Sequence, residues 1–486
     1  MVGNKYIKGI ITFTIVLFFI TGCGTSIKNL SNLGKSSKFQ ETKSAKTKKE
    51  YKKLYQQYKE ENKTNDLLWD YEVGIISYYS DAFKDSVFYF DEAEKLIKKY
   101  DEEVLASKVL SNVGAILSND TFMDYRPRIY EKIMVNTYKA IDFIQIGDFQ
   151  NARIEFNRAL VRQDRAKEFF EKEIALEKKK INSENKKKLK EKNKKIPSLN
   201  KIVKNKKTLD PIEKKYTNLF AFKAYRDFNN PFTTYLAGIF FLNTGDYRKA
   251  TDLLKESYGM IKNLESGSKY VLKDFKLADS LKSSLRKRKQ HYTWVIFFNG
   301  KGPKKEELKI DIPLFLFTND VYYTGIALPT LKINDKAYDY LVINRKYKTK
   351  TIASMDRIVK TEFKKRFPTI MMRALTRTVV QTIIQKQIGN KLEKGMALAG
   401  PMGYILAKGA AAATQYALNR ADTRIWERLP KEFQVVRINS TKNIQITTPN
   451  KKNIISLKTK PNRNYIIFVT IASSDSEPIV TYQEFK

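Results

Sequence analysis

Two stretches of this chain repeat one spacing of small and aromatic residues, and few folds satisfy it. Ala140, Phe143, Gly147, Phe149, Ala152, Phe156 and Ala159 follow one another at intervals of 3, 4, 2, 3, 4 and 3. Gly238, Phe241, Gly245, Tyr247, Ala250, Leu254 and Ser257 keep the same intervals. Steps of three and four place residues on one face of a helix. Small side chains there let a second helix come close, and larger ones fill the wedge between the axes. Gly147-Asp148 and Gly245-Asp246 mark the turns, because glycine ends one helix in a left-handed conformation and aspartate caps the next. Each stretch therefore predicts a helical hairpin. A weaker third copy has Gly74, Phe83, Phe90 and Ala93 at matching offsets, with Ser77, Asp81 and Ser86 as substitutes. Sixty-six residues separate Gly74 from Ala140, which leaves room for a diverged hairpin over 102–135.

After about residue 290 the period becomes that of a strand. Thr293 to Gly300 is a β-rich run closed by a turn signal, and Lys309 to Leu314 alternates. Tyr322–Ala327, Ala337–Asn344, Phe433–Ile438, Ile444–Thr448, Ile454–Leu457 and Tyr465–Ile471 also read as strands. Between them lies an amphipathic helix, about Asp356 to Asn390. Its apolar stripe runs through Met371, Leu375, Val379 and Ile383, and Arg373, Arg377, Gln381 and Gln385 form another stripe. Pro368 is expected to kink or restart it. A second helix, Met396 to Leu418, carries Lys408 as its only charge. It reads as a buried helix packed by small residues, with membrane insertion or a regulated amphipathic segment as alternatives. The expected class is α+β. A helical repeat domain covers 51–288, and a β-rich domain covers 289–486 with helices embedded at about 356–420.

The N-terminus carries Lys5 and Lys8, then apolar residues from Ile10 to Ile20, and ends at Ile20-Thr21-Gly22-Cys23. A basic start, a short apolar core and a small-residue exit describe a secretory signal over 1–22. Such a core is too short to span a bilayer, which takes roughly 20 residues. Its ending resembles the lipobox of bacterial lipoproteins, which implies acylation of Cys23, the only cysteine. The other reading is a secreted or signal-anchored chain. Residues 23–50 follow as a flexible tether. With that thiol acylated and His291 the only histidine, thiolate metal sites and Cys-His or Ser-His pairs are not expected. No cofactor or catalytic set is expected either, since nothing marks two of the 52 acids as the paired carboxylates of a glycan hydrolase. The net charge is +39, and residues 178–207 hold 14 lysines against Glu184 and Glu191. Behind a lipoprotein signal the accessible polyanions are anionic lipid, lipopolysaccharide or teichoic acid, and peptidoglycan, rather than nucleic acid. A Lys-, Asn- and Ile-rich composition also reads as coding drift. The Lys-rich segment is then either an electrostatic arm or a solvated insertion on a repeat edge.

The paired spacings resemble the tetratricopeptide repeat. Several ordered phrases together resemble a bacterial family of tetratricopeptide-repeat lipoproteins. They are Asn65-Asp66-Leu67-Leu68-Trp69, Tyr138-Lys139-Ala140, Asn230-Pro231-Phe232, Asn299-Gly300-Lys301-Gly302-Pro303, Ala327-Leu328-Pro329, and Ala421-Asp422-Thr423-Arg424-Ile425-Trp426 before Leu429-Pro430. The Lys-rich insert, Thr423 and Ile425 depart from the pattern. The resemblance implies an envelope lipoprotein with helical repeats, a C-terminal β-domain and no known reaction. Ala421 to Pro430 reads as an Asp422–Arg424 ion pair with Trp426 as an anchor, and Gly300 to Lys305 as a basic hairpin turn rather than a phosphate loop. The expected function is a lipid-anchored scaffold that binds an envelope protein partner in a groove of stacked hairpins. Tyr78, Asn136, Lys139 and Asn243 are its candidate groove residues. The alternative is a basic module for anionic lipid, glycan or peptidoglycan. The expected location is the outer membrane in a two-membrane organism (Gly24, not Asp, follows the cysteine) and otherwise the outer face of the plasma membrane.

Overall fold

A computed structural model describes residues 45–61, 63, 65–106, 124–190, 206–283, 290–312, 324–396, 420–451 and 454–485. The signal segment, Cys23, most of the tether, residues 107–123 of the expected diverged hairpin, residues 191–205 and nearly all of Met396–Leu418 lie outside them. The described chain is α+β. The helices are α1 (Lys48–Glu61), α2 (Leu67–Tyr79), α3 (Phe83–Leu105), α4 (Ile129–Gln145), α5 (Phe149–Asp164), α6 (Ala166–Lys190), α7 (Lys206–Phe220), α8 (Pro231–Asn243), α9 (Tyr247–Ile261), α10 (Ser268–Lys282) and α11 (Met355–Met396).

Helices α2 and α3, α4 and α5, and α8 and α9 form the hairpins that the spacing predicts, and their small residues stand at the close approaches. A Cβ built on Gly74 would lie 2.7 Å from the Phe90 ring, and one on Gly238 would lie 2.8 Å from Leu254 Cγ. Gly147 and Gly245 turn the chain at φ +78° and +88°, and in the weaker copy Asp81 takes the same left-handed conformation at φ 62°. Asp148 and Asp246 then cap α5 and α9, accepting from the Asn151 and Lys249 amides.

Among the described residues eleven strands make three sheets. They are β1 (Tyr292–Asn299), β2 (Lys304–Ile312), β3 (Thr324–Lys332), β4 (Val342–Ile343), β5 (Tyr347–Lys348), β6 (Lys350–Ser354), β7 (Glu432–Asn439), β8 (Asn443–Thr447), β9 (Ile454–Lys458), β10 (Asn464–Ile471) and β11 (Ile479–Phe485). The main sheet has the order β11-β10-β1-β7-β6; β2 pairs with β3, and the third sheet runs β5-β4-β8-β9. In the main sheet β1 and β10 are parallel and the other pairs antiparallel. One face of β1, through Val295 and Phe297, packs with Ile343, Ile444 and Ile446 of the third sheet. Its other face meets the helices: Phe298 contacts Tyr138 and Phe232, and Phe232 stacks on Phe433 of β7 at 3.7 Å. A strand covered on both sides reads as an unbroken apolar run, as Trp294 to Phe298 does.

Three sequence expectations are corrected here. Gly300 to Pro303 is not a hairpin turn. It carries the chain from the main sheet to the β2–β3 pair, held by Gly300 N–H to the Ile471 carbonyl (2.9 Å) and Gly302 N–H to that of Leu429 (2.7 Å). The strand expected over Ala337–Asn344 shrinks to Val342–Ile343. The Asn299 side chain takes its place, accepting from the Ala337 and Tyr338 amides at 3.0 and 3.2 Å. Of the two outcomes expected at Pro368, the restart is excluded, because α11 continues through it at the loss of one backbone hydrogen bond. Helices and sheets alike fall in one compact unit, Ser44–Lys486.

Candidate anion-binding cavity

The first helices of the three hairpins face the main sheet rather than solvent. All 13 residues of α2 and every residue of α8 except Asn243 are buried. Tyr78 is 1% exposed, and its hydroxyl lies 3.3 Å from Thr481 Oγ1 on β11. Phe149 stacks on Phe485 at 5.1 Å, and Asp274 accepts from Tyr235 (2.7 Å), Trp294 (3.2 Å) and Arg437 (2.7 Å). The face that a partner segment would use is thus filled by the chain's own sheet.

The four groove candidates are placed accordingly. Asn136 and Lys139 come together, but inside a charge network between hairpins. Lys139 Nζ meets Asp91 (2.7 Å), Glu94 (2.6 Å) and Glu155 (3.0 Å). Asn136 donates to Glu94 and Glu155 at 2.9 and 2.7 Å and accepts from Arg162. Burial works to lower the Lys139 pKa, but Glu155 and Glu94 outweigh it and the net shift is upward. Tyr78 is separate, and Asn243 is half-buried and donates to the Ile239 carbonyl of its own helix. None of the four lines an open groove here. Sequence spacing places a residue on a helix face but does not say which face a sheet will cover.

The Ala421–Pro430 phrase is arranged as its composition suggests. Arg424 Nε lies 2.9 Å from Asp422 Oδ1, and Trp426 stacks on Tyr71 of α2 at 4.5 Å. Arg428 Nε meets the buried Glu72 at 2.5 Å. His291 immediately precedes β1, its carbonyl accepting from Ser440 N–H at 3.0 Å.

Arg424 and Asp422 also belong to a cavity of about 70 Å³ where α6, α11, β2, β3 and residues 124–128 and 420–424 converge. Its wall holds Arg126, Arg128, Arg366, Arg373, Arg377, Arg420, Arg424 and Lys305, against Asp124, Glu177 and Asp422. Eight cations face three carboxylates. Glu177 is shared by Arg126 at 2.7 Å and Arg373 at 3.4 Å. Arg366 is held from outside the wall by Glu173 (2.6 Å) and Glu362 (2.8 Å). Burial works to raise Glu173 and Glu177, but Arg366 beside the one and Arg373 and Arg126 beside the other hold both below the usual carboxylate range. Lys305 donates to the Arg424 carbonyl at 3.0 Å. Burial, and then the Arg128 charge, push its pKa down to about 8.

The choice of residue is telling. The chain has 71 lysines and 20 arginines, yet seven arginines and one lysine line this cavity. Compositional drift toward lysine would give the opposite proportion. Guanidinium is weakly hydrated and forks onto carboxylate or phosphate, so it is the cation suited to a partly dry anion site. Sequence reading found the Arg373–Arg377 stripe and the Asp422–Arg424 pair but not their convergence. Among the described residues no group of three or more His, Cys, Asp or Glu could hold a metal ion, and no helix is long and apolar enough to cross a membrane. Protein-family models, curated proteins and solved structures were compared with this chain, and none matches.

Proposed function

We propose that this chain is a lipid-anchored protein of the bacterial cell envelope that binds a multiply charged, phosphate- or carboxylate-bearing ligand in the arginine-lined cavity. The observation that carries this reading is the surplus of eight cations over three carboxylates around one cavity, drawn mostly from the scarcer basic residue. Like charges gathered in a partly desolvated space repel one another, and an anion relieves that repulsion on entry. The hairpins act as support: in this reading α2–α3, α4–α5 and α8–α9 are tetratricopeptide-type units, favoured by the tight Gly74–Phe90 and Gly238–Leu254 contacts. Capture of a protein partner on the first helices is less favoured, because the main sheet would have to leave. The lipid anchor rests on the lipobox-like run ending at Cys23.

The test is thermal unfolding of the full chain in phosphate, pyrophosphate or citrate, against sodium chloride at matched ionic strength. A rise in Tm with the multivalent anions, lost in Arg128→Gln/Lys305→Gln, is expected. Equal Tm values in all salts would overturn the reading. The anchor is tested separately: Cys23→Ser should abolish incorporation of a palmitate analogue and release the protein from membranes.

A further inference from the structure

A second basic surface, on the opposite character of side chain, lies where α7 meets the start of α11. Tyr216 and Phe220 of α7 pack on Phe363 and Phe367 of α11, with Tyr216 and Phe367 centroids 4.2 Å apart. The chain then leaves α7 as an irregular segment, 221–228, in which Phe222 is only half-buried. Lysines frame that ring. Lys360 Nζ lies 5.6 Å and Lys364 Nζ 5.8 Å from its centroid. Lys364 is also 5.8 Å from the half-buried Phe220 ring and donates to the Phe220 carbonyl at 3.1 Å. Lys365 sits over Phe228 at 5.3 Å. Lys223, Arg226, Lys364 and Lys365 are exposed. Asp227 lies 3.9 Å from Lys365, and Glu265 accepts from Tyr225 and Arg357 beneath the segment.

We infer that this surface docks on the headgroups of an anionic phospholipid bilayer, with Phe222 entering the interface and Lys360, Lys364 and Lys365 contacting phosphates. The chemistry differs from that of the cavity in a way that selects the partner. Arginine forks in a recess suit one ligand of fixed shape. Ammonium heads on flexible stems, laid along half-buried rings at the surface, suit a fluid layer of phosphates above hydrocarbon. Juxtaposed basic and aromatic residues gain from both the surface potential and the apolar boundary. A dissolved polyanion would use the lysines but give Phe222 nothing to enter. This inference stands on the surface alone and is independent of what fills the cavity.

The experiment is hydrogen exchange of the full chain bound to phosphatidylcholine vesicles, with and without phosphatidylglycerol. Amides of 221–228, which lie outside regular helix, should exchange several-fold more slowly on the anionic vesicles only, and the protection should fade as salt is raised. Lys360→Glu/Lys364→Glu/Lys365→Glu should abolish it, with exchange of α8 and β1 unchanged as the sign of an intact fold. Phe222→Ser, which alters no charge, should weaken it without changing the salt dependence. Equal exchange on both vesicles would overturn the inference, and so would protection that survives both variants.

Discussion

Two charge clusters in this molecule have different logics. Around Lys139 three cations, Lys139, Arg158 and Arg162, meet three carboxylates, Asp91, Glu94 and Glu155. Charge is matched within the chain, and the cluster ties α3, α4 and α5 together. Around the cavity eight cations face three carboxylates. Counting Glu173 and Glu362 as well still leaves a surplus. A buried charge that serves the fold needs its partner in the chain, because an unmatched one is costly. The first cluster balances its charges one for one, whereas the cavity wall gathers more cations than carboxylates, a setting that an entering anion would even out.

The largest expected effect breaks the balanced cluster. Lys139→Met removes the cation that Asp91, Glu94 and Glu155 share and leaves Glu94 and Glu155 to Arg158 and Arg162, and urea unfolding should show a loss of about 3 kcal/mol. Lys305→Met, with no ligand present, should leave stability unchanged or slightly raised, since burial and then the Arg128 charge disfavour the lysine's own charge. If the two variants lose stability equally, the clusters do not differ in kind. Next comes a defect without charge. Gly238→Ala drives a methyl group against Leu254 and should cost about 1–3 kcal/mol in the same assay, which sets the scale of packing against that of charge matching. A third effect concerns the ligand: calorimetric titration with pyrophosphate should show about a tenfold weaker affinity in Arg128→Gln, equivalent to roughly 1.4 kcal/mol.

The smallest effect is in pH. Lys305 has a folded pKa near 8, below the ordinary lysine value. It is charged below pH 8 and neutral above it while the unfolded chain still holds its proton. Its burden on stability is therefore relieved as pH rises through 8, and the charge it offers an anion is lost over the same range. Pyrophosphate affinity should fall through pH 8 in the native chain, and Lys305→Met should remove that step. The Lys139 cluster, whose lysine pKa is raised, should show no such step near pH 8.

Local features were legible in the sequence and remote ones were not. The hairpins are readable because Gly74, Gly238, Gly147 and Gly245 are each required by a contact or turn within one hairpin. Strands β1, β7, β8, β9 and β10 are readable because their residues are buried in runs or alternate between a core side and solvent. The edge strands β6 and β11 were missed: Lys350-Thr351-Ile352-Ala353-Ser354 is short and mixed, and β11 ends in Gln483-Glu484-Phe485. Ala337 to Asn344 looks like a strand, but the Asn299 side chain occupies its backbone groups, a competition no local pattern announces. The cavity is assembled from Arg128, Lys305, Arg366 to Arg377 and Arg420 to Arg424, segments separated by scores of residues. No motif spans them. The available clue was chemical: arginine at these positions in a chain that otherwise uses lysine.

The strand order carries a consequence for the order of events in folding. β1 is held between β7 and β10, whose residues follow it by well over a hundred positions. The main sheet therefore cannot close until almost the whole chain has emerged, whereas each hairpin is local and forms early. During that interval Tyr71, Tyr138 and Phe232 have no cover, because what covers them is Trp426, Phe298 and Phe433. The folding chain thus passes through a stage in which its helices are made and their aromatic faces are bare. A truncation before Trp426 should remain in that stage.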